Sequence, residues 1–178
     1  MKIPVNDVVL AQLRHLTGTP GARKHMRDAL HHRLRHLTAV HAALAAEGLP
    51  LELDAIPLVE TGYENIDGGK NGAGLWQFVR ATATHFGLRV TDAVDERMNP
   101  RLETAAAARY LRELHDELDD WPLVLAAYSQ GITHLRAVMR REKTRDAWTL
   151  IRRGAIGVYA ARVMAAALLV QDPSPAGV

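Results

Sequence analysis

The sequence has no cysteine among its 178 residues, which excludes disulfide bonds, thiolate zinc sites and cysteine nucleophiles. A strong charge of one sign is also lacking, because the formal net charge is +2. The charges are unevenly spread, with 14 acidic against 7 basic residues between positions 51 and 120. This balance does not fit a uniformly basic nucleic-acid-binding protein. The hydrophobic fraction of 48% suffices for one domain with a substantial core.

Long uninterrupted hydrophobic runs are missing as well. Polar residues such as Asn6 and Arg14 interrupt the amino-terminal segment, so it does not fit a secretory signal. The most apolar stretch, at 154–170, is shorter than the ~20 residues of a membrane-spanning helix and carries Arg162 in its middle. We therefore expect a core helix there and no membrane-spanning segment. Action outside the cytoplasm would need another export route or a longer precursor.

The spacing of apolar residues predicts an all-α fold with at most a minimal β-hairpin. No strand-like alternation of four or more residues recurs, whereas apolar residues fall three and four positions apart, as in Leu111, Leu114 and Leu118. Glycine and proline set most of the expected helix ends. Helices are expected from Pro4 to Gly18, from Pro20 to Gly48, over 51–62, 74–87, 101–120, 122–131 and 132–141, near Trp148, and over 154–170.

The chain is expected to form a single globular domain with loops at 66–72 and 91–100. Within it, residues 1–50 are predicted to form an amino-terminal helical segment that packs on the core. Residues 51–172 are predicted to form the core itself. The tail at 173–178 is rich in proline and glycine and is expected to be disordered.

Three short segments, at 56–63, 71–78 and 125–131, concentrate glycine, aromatic and carboxylate residues. Glu60 follows an apolar Ile-Pro-Leu-Val run, which places its carboxyl at the end of a mostly buried helix and beside a groove. Burial raises the pKa of a carboxyl, and a general acid must be protonated near neutral pH. The alternative is a partly buried glutamate that is satisfied by backbone donors or by an arginine.

The second and third of these segments carry groups that suit a polar ligand. Gly72-Ala73-Gly74 lets the backbone approach a ligand closely, and Gln77, expected at a helix start, has an amide that can bond to it. Core positions explain Trp76 and Phe78 better than ligand contacts do. Tyr128 precedes a helix break, where a phenol is either a partner for a catalytic carboxyl or simply part of the core.

The segments ETGY, GLWQF and AAYSQG, in this order and spacing, resemble the signature motifs of the family 1 lytic transglycosylases, which carry the SLT domain. Further segments, including GLPLELDAIPLVETGY and DWPLVLAAY, resemble the membrane-bound lytic transglycosylase D branch of that family. The resemblance covers most of the chain. It implies a lysozyme-like fold and an enzyme that cleaves bacterial peptidoglycan.

The resemblance also implies a mechanism with Glu60 as the catalytic acid. In that family, one carboxyl protonates the oxygen of the β-1,4 bond between N-acetylmuramic acid and N-acetylglucosamine. The carboxylate then takes the proton of the muramyl 6-hydroxyl as this oxygen closes onto C1, which gives a 1,6-anhydromuramyl end without water or a second carboxylate. Tyr128, or else Tyr159, is expected to hold the Glu60 carboxyl. The expected substrate contacts are Thr61, Gly74, Gln77, Phe78, Ser129, Gln130 and Tyr159.

Three departures from the family pattern affect these expected contacts. Thr61 replaces the usual serine and keeps a hydroxyl, whereas Ser129 replaces an asparagine and loses its amide. A serine expected before GLWQF is replaced around Gly68-Gly69. Two alternatives therefore stay open, namely a hydrolytic muramidase of goose-lysozyme type and a non-catalytic glycan-binding or regulatory domain with the same fold.

The sequence predicts no cofactor and no metal. His32 and His36 have the i,i+4 spacing of a metal pair, but no acid or third ligand accompanies them. The basic segment at 136–145 fits a solvated helix face or a surface that attracts an anionic polymer. The oligomeric state and the choice between exo and endo action are open. The expected partner is the glycan strand of peptidoglycan rather than nucleic acid, and the expected location is the cell envelope or periplasm.

Overall fold

A computed structural model describes residues 1–68 and 72–178. Among these residues, ten α-helices surround one core, and the only sheet is an antiparallel pair of two-residue strands. The predicted fold class, all-α with at most a minimal hairpin, is confirmed. The helices are α1 (Asp7–Thr17), α2 (Pro20–Arg33), α3 (Leu37–Ala46), α4 (Ala55–Glu60), α5 (Arg80–His85), α6 (Pro100–Leu118), α7 (Trp121–Gln130), α8 (Ile132–Glu142), α9 (Ala147–Arg152) and α10 (Tyr159–Gln171). The strands are β1 (Ile66–Asp67) and β2 (Ala73–Gly74), and short 3-10 turns cover Leu51–Asp54, Glu96–Met98 and Ser174–Ala176.

Polar side chains fix the beginnings of several helices. The side chain of Asn6 accepts the N–H of Val9 at the start of α1, and Asp120 likewise caps α7. Thr19 and Asn99 cap α2 and α6, each of which has a proline in its first turn. Such residues satisfy amide groups that have no partner within the helix. This local chemistry explains why these helices begin close to where the sequence predicts.

The centre of the fold is α10, which packs against α1, α4 and α7. All five of its alanines are buried, and such small side chains allow the neighbouring helices to lie close. Arg162 lies on the less buried side, where its Nε donates to Gln12 Oε1 at 3.3 Å. The predicted core helix is therefore confirmed, although it begins at Tyr159. Within the described ranges, no helix combines the length and apolar character that crossing a membrane requires.

The single helix predicted from Pro20 to Gly48 is wrong, because the chain turns between α2 and α3. Arg33 Nε and His41 Nε2 both contact the same oxygen, Oδ2 of the buried Asp54, at 2.9 and 2.8 Å. In a continuous helix, positions 33 and 41 would lie about 12 Å apart along the axis. The turn brings both side chains to one carboxylate, and it leaves Leu34 61% exposed.

The helix predicted from Gly74 to Gly87 begins only at Arg80. Residues 75–77 form a tight turn, closed by two backbone hydrogen bonds of 3.1 Å between Ala73 and Phe78. Gln77, expected at a helix start, instead has a left-handed backbone with φ 54°. The predicted loop at 66–72 pairs its first two residues with β2, while positions 69–71 lie outside the described residues.

Two further ends differ from the sequence prediction. Helix α4 stops at Glu60 rather than near Gly62, because Gly62 and Tyr63 adopt left-handed conformations with φ near 60°. The tail expected to be disordered packs on α2, where Arg27 Nη1 donates to the Ala176 carbonyl at 2.9 Å and Ala176 is buried. The predicted division at residue 50 stays a prediction.

Candidate active site

Glu60 is the last residue of α4, in which residues 55–58 are buried in the core. Its half-buried carboxyl accepts a hydrogen bond at Oε1 from the hydroxyl of Tyr159, the first residue of α10. Burial raises the pKa of Glu60, while the Tyr159 hydrogen bond and the positive charge of Arg162 oppose that rise without cancelling it. The carboxyl therefore holds its proton to a higher pH than an exposed glutamate does.

Two cavities meet at Glu60, and Val59 and Glu60 line both of them. The first, which we name the tyrosine cavity, has a volume of about 350 Å³. The second, the histidine cavity, measures about 420 Å³ and is bounded by α2. An extended ligand that crosses Glu60 would thus find space on both sides of this residue. The tyrosine cavity is also lined by Gln77, Phe78, Val79, Thr82, Tyr110, Tyr128, Ser129, Tyr159 and Arg162, and the histidine cavity by His25, Asp28, Ala29, His32, Thr61, Gly62, Glu64 and Ile66.

Tyr128 does not hold the Glu60 carboxyl, so this expectation is wrong. Its hydroxyl donates instead to the backbone carbonyl of Trp76 at 2.6 Å. The ring lies nearly parallel to that of Tyr159, with the ring centroids 6.3 Å apart. Burial and the nearby Glu60 carboxylate raise the pKa of both tyrosines well above the ordinary value, so both hydroxyls stay protonated. The structure gives the carboxyl contact to Tyr159, the alternative that the sequence left open.

The turn at residues 75–77 depends on Glu103, a residue that sequence reasoning missed. The Glu103 carboxyl has no exposed surface and accepts the amides of Leu75 and Trp76 at 2.7 and 3.1 Å. A Cβ atom on Gly74, whose φ is 86°, would collide with this carboxyl. Burial raises the pKa of Glu103 to about 8, against the effect of its amide donors and of Arg97. In the sequence, Glu103 begins the alanine-rich run ETAAAA. An acidic residue in the first turn of a helix is normally explained by the helix dipole and by exposure to solvent. The sequence therefore contains no specific signal that Glu103 is buried.

The Gln77 amide is used within the loop rather than left free for a ligand. Its Nε2 donates to the carbonyl groups of Gly74 and Ile66 at 3.0 and 3.3 Å, while the half-buried side chain still lines the tyrosine cavity. Phe78 is 3% exposed and packs edge-to-face on Tyr110, so it belongs both to the core and to the cavity wall. The Gln77 side chain thus stabilises the loop that forms this part of the cavity wall.

Of the other predicted substrate contacts, two line a cavity and two do not. Ser129 is exposed and lines the tyrosine cavity. Thr61 borders the histidine cavity, but its hydroxyl lies within reach of the carbonyls of Pro57 and Leu75, at 3.2 and 3.1 Å. Neither cavity is lined by Gly74 or Gln130. Gly68 lies in the described chain, whereas Gly69, the other half of the expected serine replacement, lies outside it.

The remaining carboxylates of the two cavities are Asp28 and Glu64. Their side chains are 50% and 62% exposed, and Asp28 accepts a hydrogen bond from Lys24 Nζ at 2.7 Å. Glu64 Oε1 lies 3.8 Å from His32 Nδ1. Both carboxylates are more exposed than that of Glu60, and neither accepts a hydrogen bond from a tyrosine. Glu60 is therefore the cavity carboxyl whose surroundings suit a general acid.

The histidines with metal-pair spacing, His32 and His36, are separated by the turn between α2 and α3. His32 Nδ1 lies 3.2 Å from the Gly62 carbonyl, while the His36 ring stacks on Tyr63 with the centroids 6.1 Å apart. Within residues 1–68 and 72–178, no three histidine, cysteine or acidic side chains are grouped as metal ligands. The two histidines with i,i+4 spacing therefore make separate local contacts, one to the Gly62 carbonyl and one to the Tyr63 ring.

Comparison with known proteins connects this geometry to a family. The family model described as "Transglycosylase SLT domain" matches residues 39–151, a span that includes Glu60 and ends before Tyr159. Membrane-bound lytic murein transglycosylase D of Escherichia coli strain K12 is 27% identical over 156 residues, which cover 84% of this chain and 34% of that protein. Peptidoglycan transglycosylase gp16 of Escherichia phage T7 is 48% identical over 60 residues, which cover 33% of this chain and 5% of that protein. The chain thus spans about a third, or less, of the length of these two relatives.

Proposed function

The chain belongs to the transglycosylase SLT domain family, and from this premise we propose that it is a lytic transglycosylase of peptidoglycan with Glu60 as its acid and base. The observation that carries the proposal is the position of Glu60. It is a half-buried carboxyl with a raised pKa, bonded to Tyr159 where two cavities meet. The names of the E. coli and phage relatives support the choice of substrate.

In the first step, the protonated Glu60 carboxyl donates its proton to the bridging oxygen of the glycosidic bond. The bond between C1 of N-acetylmuramic acid and this oxygen breaks, and the oxygen leaves as a hydroxyl of N-acetylglucosamine. Tyr159 binds Oε1 and so directs Oε2, the other carboxyl oxygen, to the sugar. The same hydrogen bond stabilises the carboxylate as it forms, since hydrogen bonds to a charged acceptor are stronger than neutral ones.

In the second step, the Glu60 carboxylate takes the proton of the muramyl 6-hydroxyl while this oxygen bonds to C1. The product is a 1,6-anhydromuramyl end, and Glu60 regains the proton that it donated. No water is consumed, so no second carboxylate has to activate one. The exposure of Asp28 and Glu64 supports this route over a hydrolytic one, in which a second acid commonly acts on water or on C1.

The substrate that fits this site is a glycan strand of peptidoglycan, and we place its cleavage in the cell envelope. Space on both sides of Glu60 supports an extended polymer rather than a single sugar. The loss of an amide at Ser129 leaves the tyrosine cavity with fewer amide groups for the sugar. The burial of Glu60 and its bond to Tyr159 favour catalysis over simple glycan binding.

Product analysis tests the proposal. Purified peptidoglycan is digested with the protein, and the glycan ends are identified by mass spectrometry. The expected ends are 1,6-anhydromuramyl, lighter by one water than the reducing ends that a muramidase releases. Glu60→Gln should abolish release, whereas Glu117→Gln, which removes an exposed carboxyl of α6 that lines neither cavity, should retain it. Reducing ends would contradict the transglycosylase reaction, and bound but intact glycan would indicate a binding domain.

A further inference from the structure

Glu103 lies behind the active site and has no role in the reaction proposed above. It belongs to the first turn of α6, and its carboxyl is fully buried. Its two oxygens accept separate backbone amides, Oε2 from Leu75 at 2.7 Å and Oε1 from Trp76 at 3.1 Å. Burying a carboxyl costs folding free energy unless its oxygens are hydrogen-bonded, and the two backbone amides provide these hydrogen bonds.

The carbonyl groups of the same two residues point to the active site. The Leu75 carbonyl accepts the hydroxyl of Thr61, the neighbour of Glu60 in the chain. The Trp76 carbonyl accepts the hydroxyl of Tyr128, whose ring stacks on Tyr159. The turn is thus held by Glu103 through its N–H groups and by residues of the catalytic site through its C=O groups.

We propose that Glu103 is a positioning residue, which sets the geometry of Glu60 and its tyrosines by holding the Leu75-Trp76 turn from behind. The proposal rests on the proposed function, because it assigns a role in the same reaction. Glutamate is suited to this task since the ionised carboxyl accepts one amide at each oxygen, and the protonated carboxyl keeps one full acceptor and one weaker acceptor. A glutamine has the same shape, but its NH₂ group would face one of the two amide N–H groups as a second donor.

The turn also fits tightly around this carboxyl. A side chain at Gly74 would collide with both the Glu103 carboxyl and the Arg97 carbonyl. The charged and titratable groups that face Glu103 are Arg97 and Tyr128. Burial raises the pKa of Glu103 to about 8, so the carboxyl changes its proton occupancy in a range where most glutamates are already ionised. Protonation turns one acceptor oxygen into a donor, which weakens one of the two amide bonds.

Steady-state kinetics of Glu103→Gln tests the proposal, with Glu117→Gln as the matched control on the exposed side of α6. We expect kcat on peptidoglycan glycan to fall about tenfold for Glu103→Gln while KM stays within about twofold, because the reacting groups shift more than the cavities do. Glu117→Gln should match the wild-type chain. A Glu103→Gln protein with wild-type kcat, whatever its melting temperature, would overturn the positioning role.

An NMR titration of the wild-type chain supplies a test that depends on neither activity nor the folding of a variant. The amide signals of Leu75 and Trp76 should move together with one midpoint near pH 8, the pKa that burial gives Glu103. If both signals stay fixed over the whole range from about pH 3 to pH 10, in which a glutamate with either an ordinary or a raised pKa titrates, Glu103 does not control the turn, and the proposal fails. Inactivity of the wild-type chain on peptidoglycan would refute the proposed function alone, since this titration would still decide whether Glu103 holds the turn.

Discussion

Replacing Tyr159 by phenylalanine removes the hydroxyl that donates to Glu60 and keeps the aromatic ring in place. A hydrogen bond to a charged group contributes about 1.5–3 kcal/mol. Glu60 becomes charged only after it has protonated the glycosidic oxygen, so most of this contribution is lost from the transition state. We therefore expect kcat to fall about 10- to 100-fold, because about 1.4 kcal/mol of barrier corresponds to a factor of ten in rate.

The same substitution should change the pH dependence of the reaction. Burial raises the pKa of Glu60, and the Tyr159 hydrogen bond opposes that rise. Without the hydroxyl, the pKa of Glu60 increases further. Glu60 must be protonated to act as an acid, so the pH at which kcat falls on the alkaline side should move upward in Tyr159→Phe.

The assay is the release of soluble fragments from purified peptidoglycan, measured across pH, with thermal unfolding followed on the same preparation. Tyr128→Phe is the control, since its hydroxyl bonds to the Trp76 carbonyl and not to Glu60. That variant should lose about 1 kcal/mol of unfolding free energy, the net contribution of one hydrogen bond, and keep the wild-type alkaline midpoint. Wild-type kcat and an unmoved alkaline midpoint in Tyr159→Phe would refute the assigned role of Tyr159.

Three further predictions concern Glu60 itself and two other buried carboxyls, those of Glu103 and Asp54. Glu60→Gln should lose about a hundredfold or more in kcat with an unchanged circular dichroism spectrum, because an amide cannot donate and regain the proton; substantial residual turnover would exclude Glu60 as the acid. Glu103 has a pKa of about 8 in the folded chain against an ordinary value of 4.5, so proton binding favours the folded state. This contribution to stability is fully present below pH 4.5 and is lost as the pH rises through about 8. Urea unfolding across this range should show a decline in the wild-type chain that is reduced in Glu103→Gln, and parallel curves for the two proteins would contradict the raised pKa. Arg33→Ala removes the arginine partner of the buried Asp54 and should cost about 3–5 kcal/mol of unfolding free energy, whereas Lys24→Ala, which breaks an exposed pair with Asp28, should change it by less than about 1 kcal/mol. A comparable loss in the two variants would argue against the buried pair.

The sequence determined the parts of this protein that depend on local chemistry. The three- and four-residue spacing of apolar side chains predicted the all-α class, and glycine and proline predicted most helix ends. In the structure, caps such as Asn6 and Asp120 fix the helix starts with side chains that are adjacent in the sequence. Glu60 was found because four apolar residues precede it in a segment that resembles a known motif. Each of these signals lies within a few residues of the feature that it predicts.

Tertiary structure decided which side chains meet. The contact to Glu60 comes from Tyr159, 99 positions away, and the turn after Gly74 is set by Glu103, 28 positions beyond Leu75. The break between α2 and α3 depends on a buried Asp54 that attracts side chains from both helices. A local pattern specifies periodicity and caps, but a hydrogen bond between distant residues depends on how the helices pack. Because of that packing, the hydroxyl of Tyr159 donates to the Glu60 carboxyl, while the hydroxyl of Tyr128 donates to the Trp76 carbonyl.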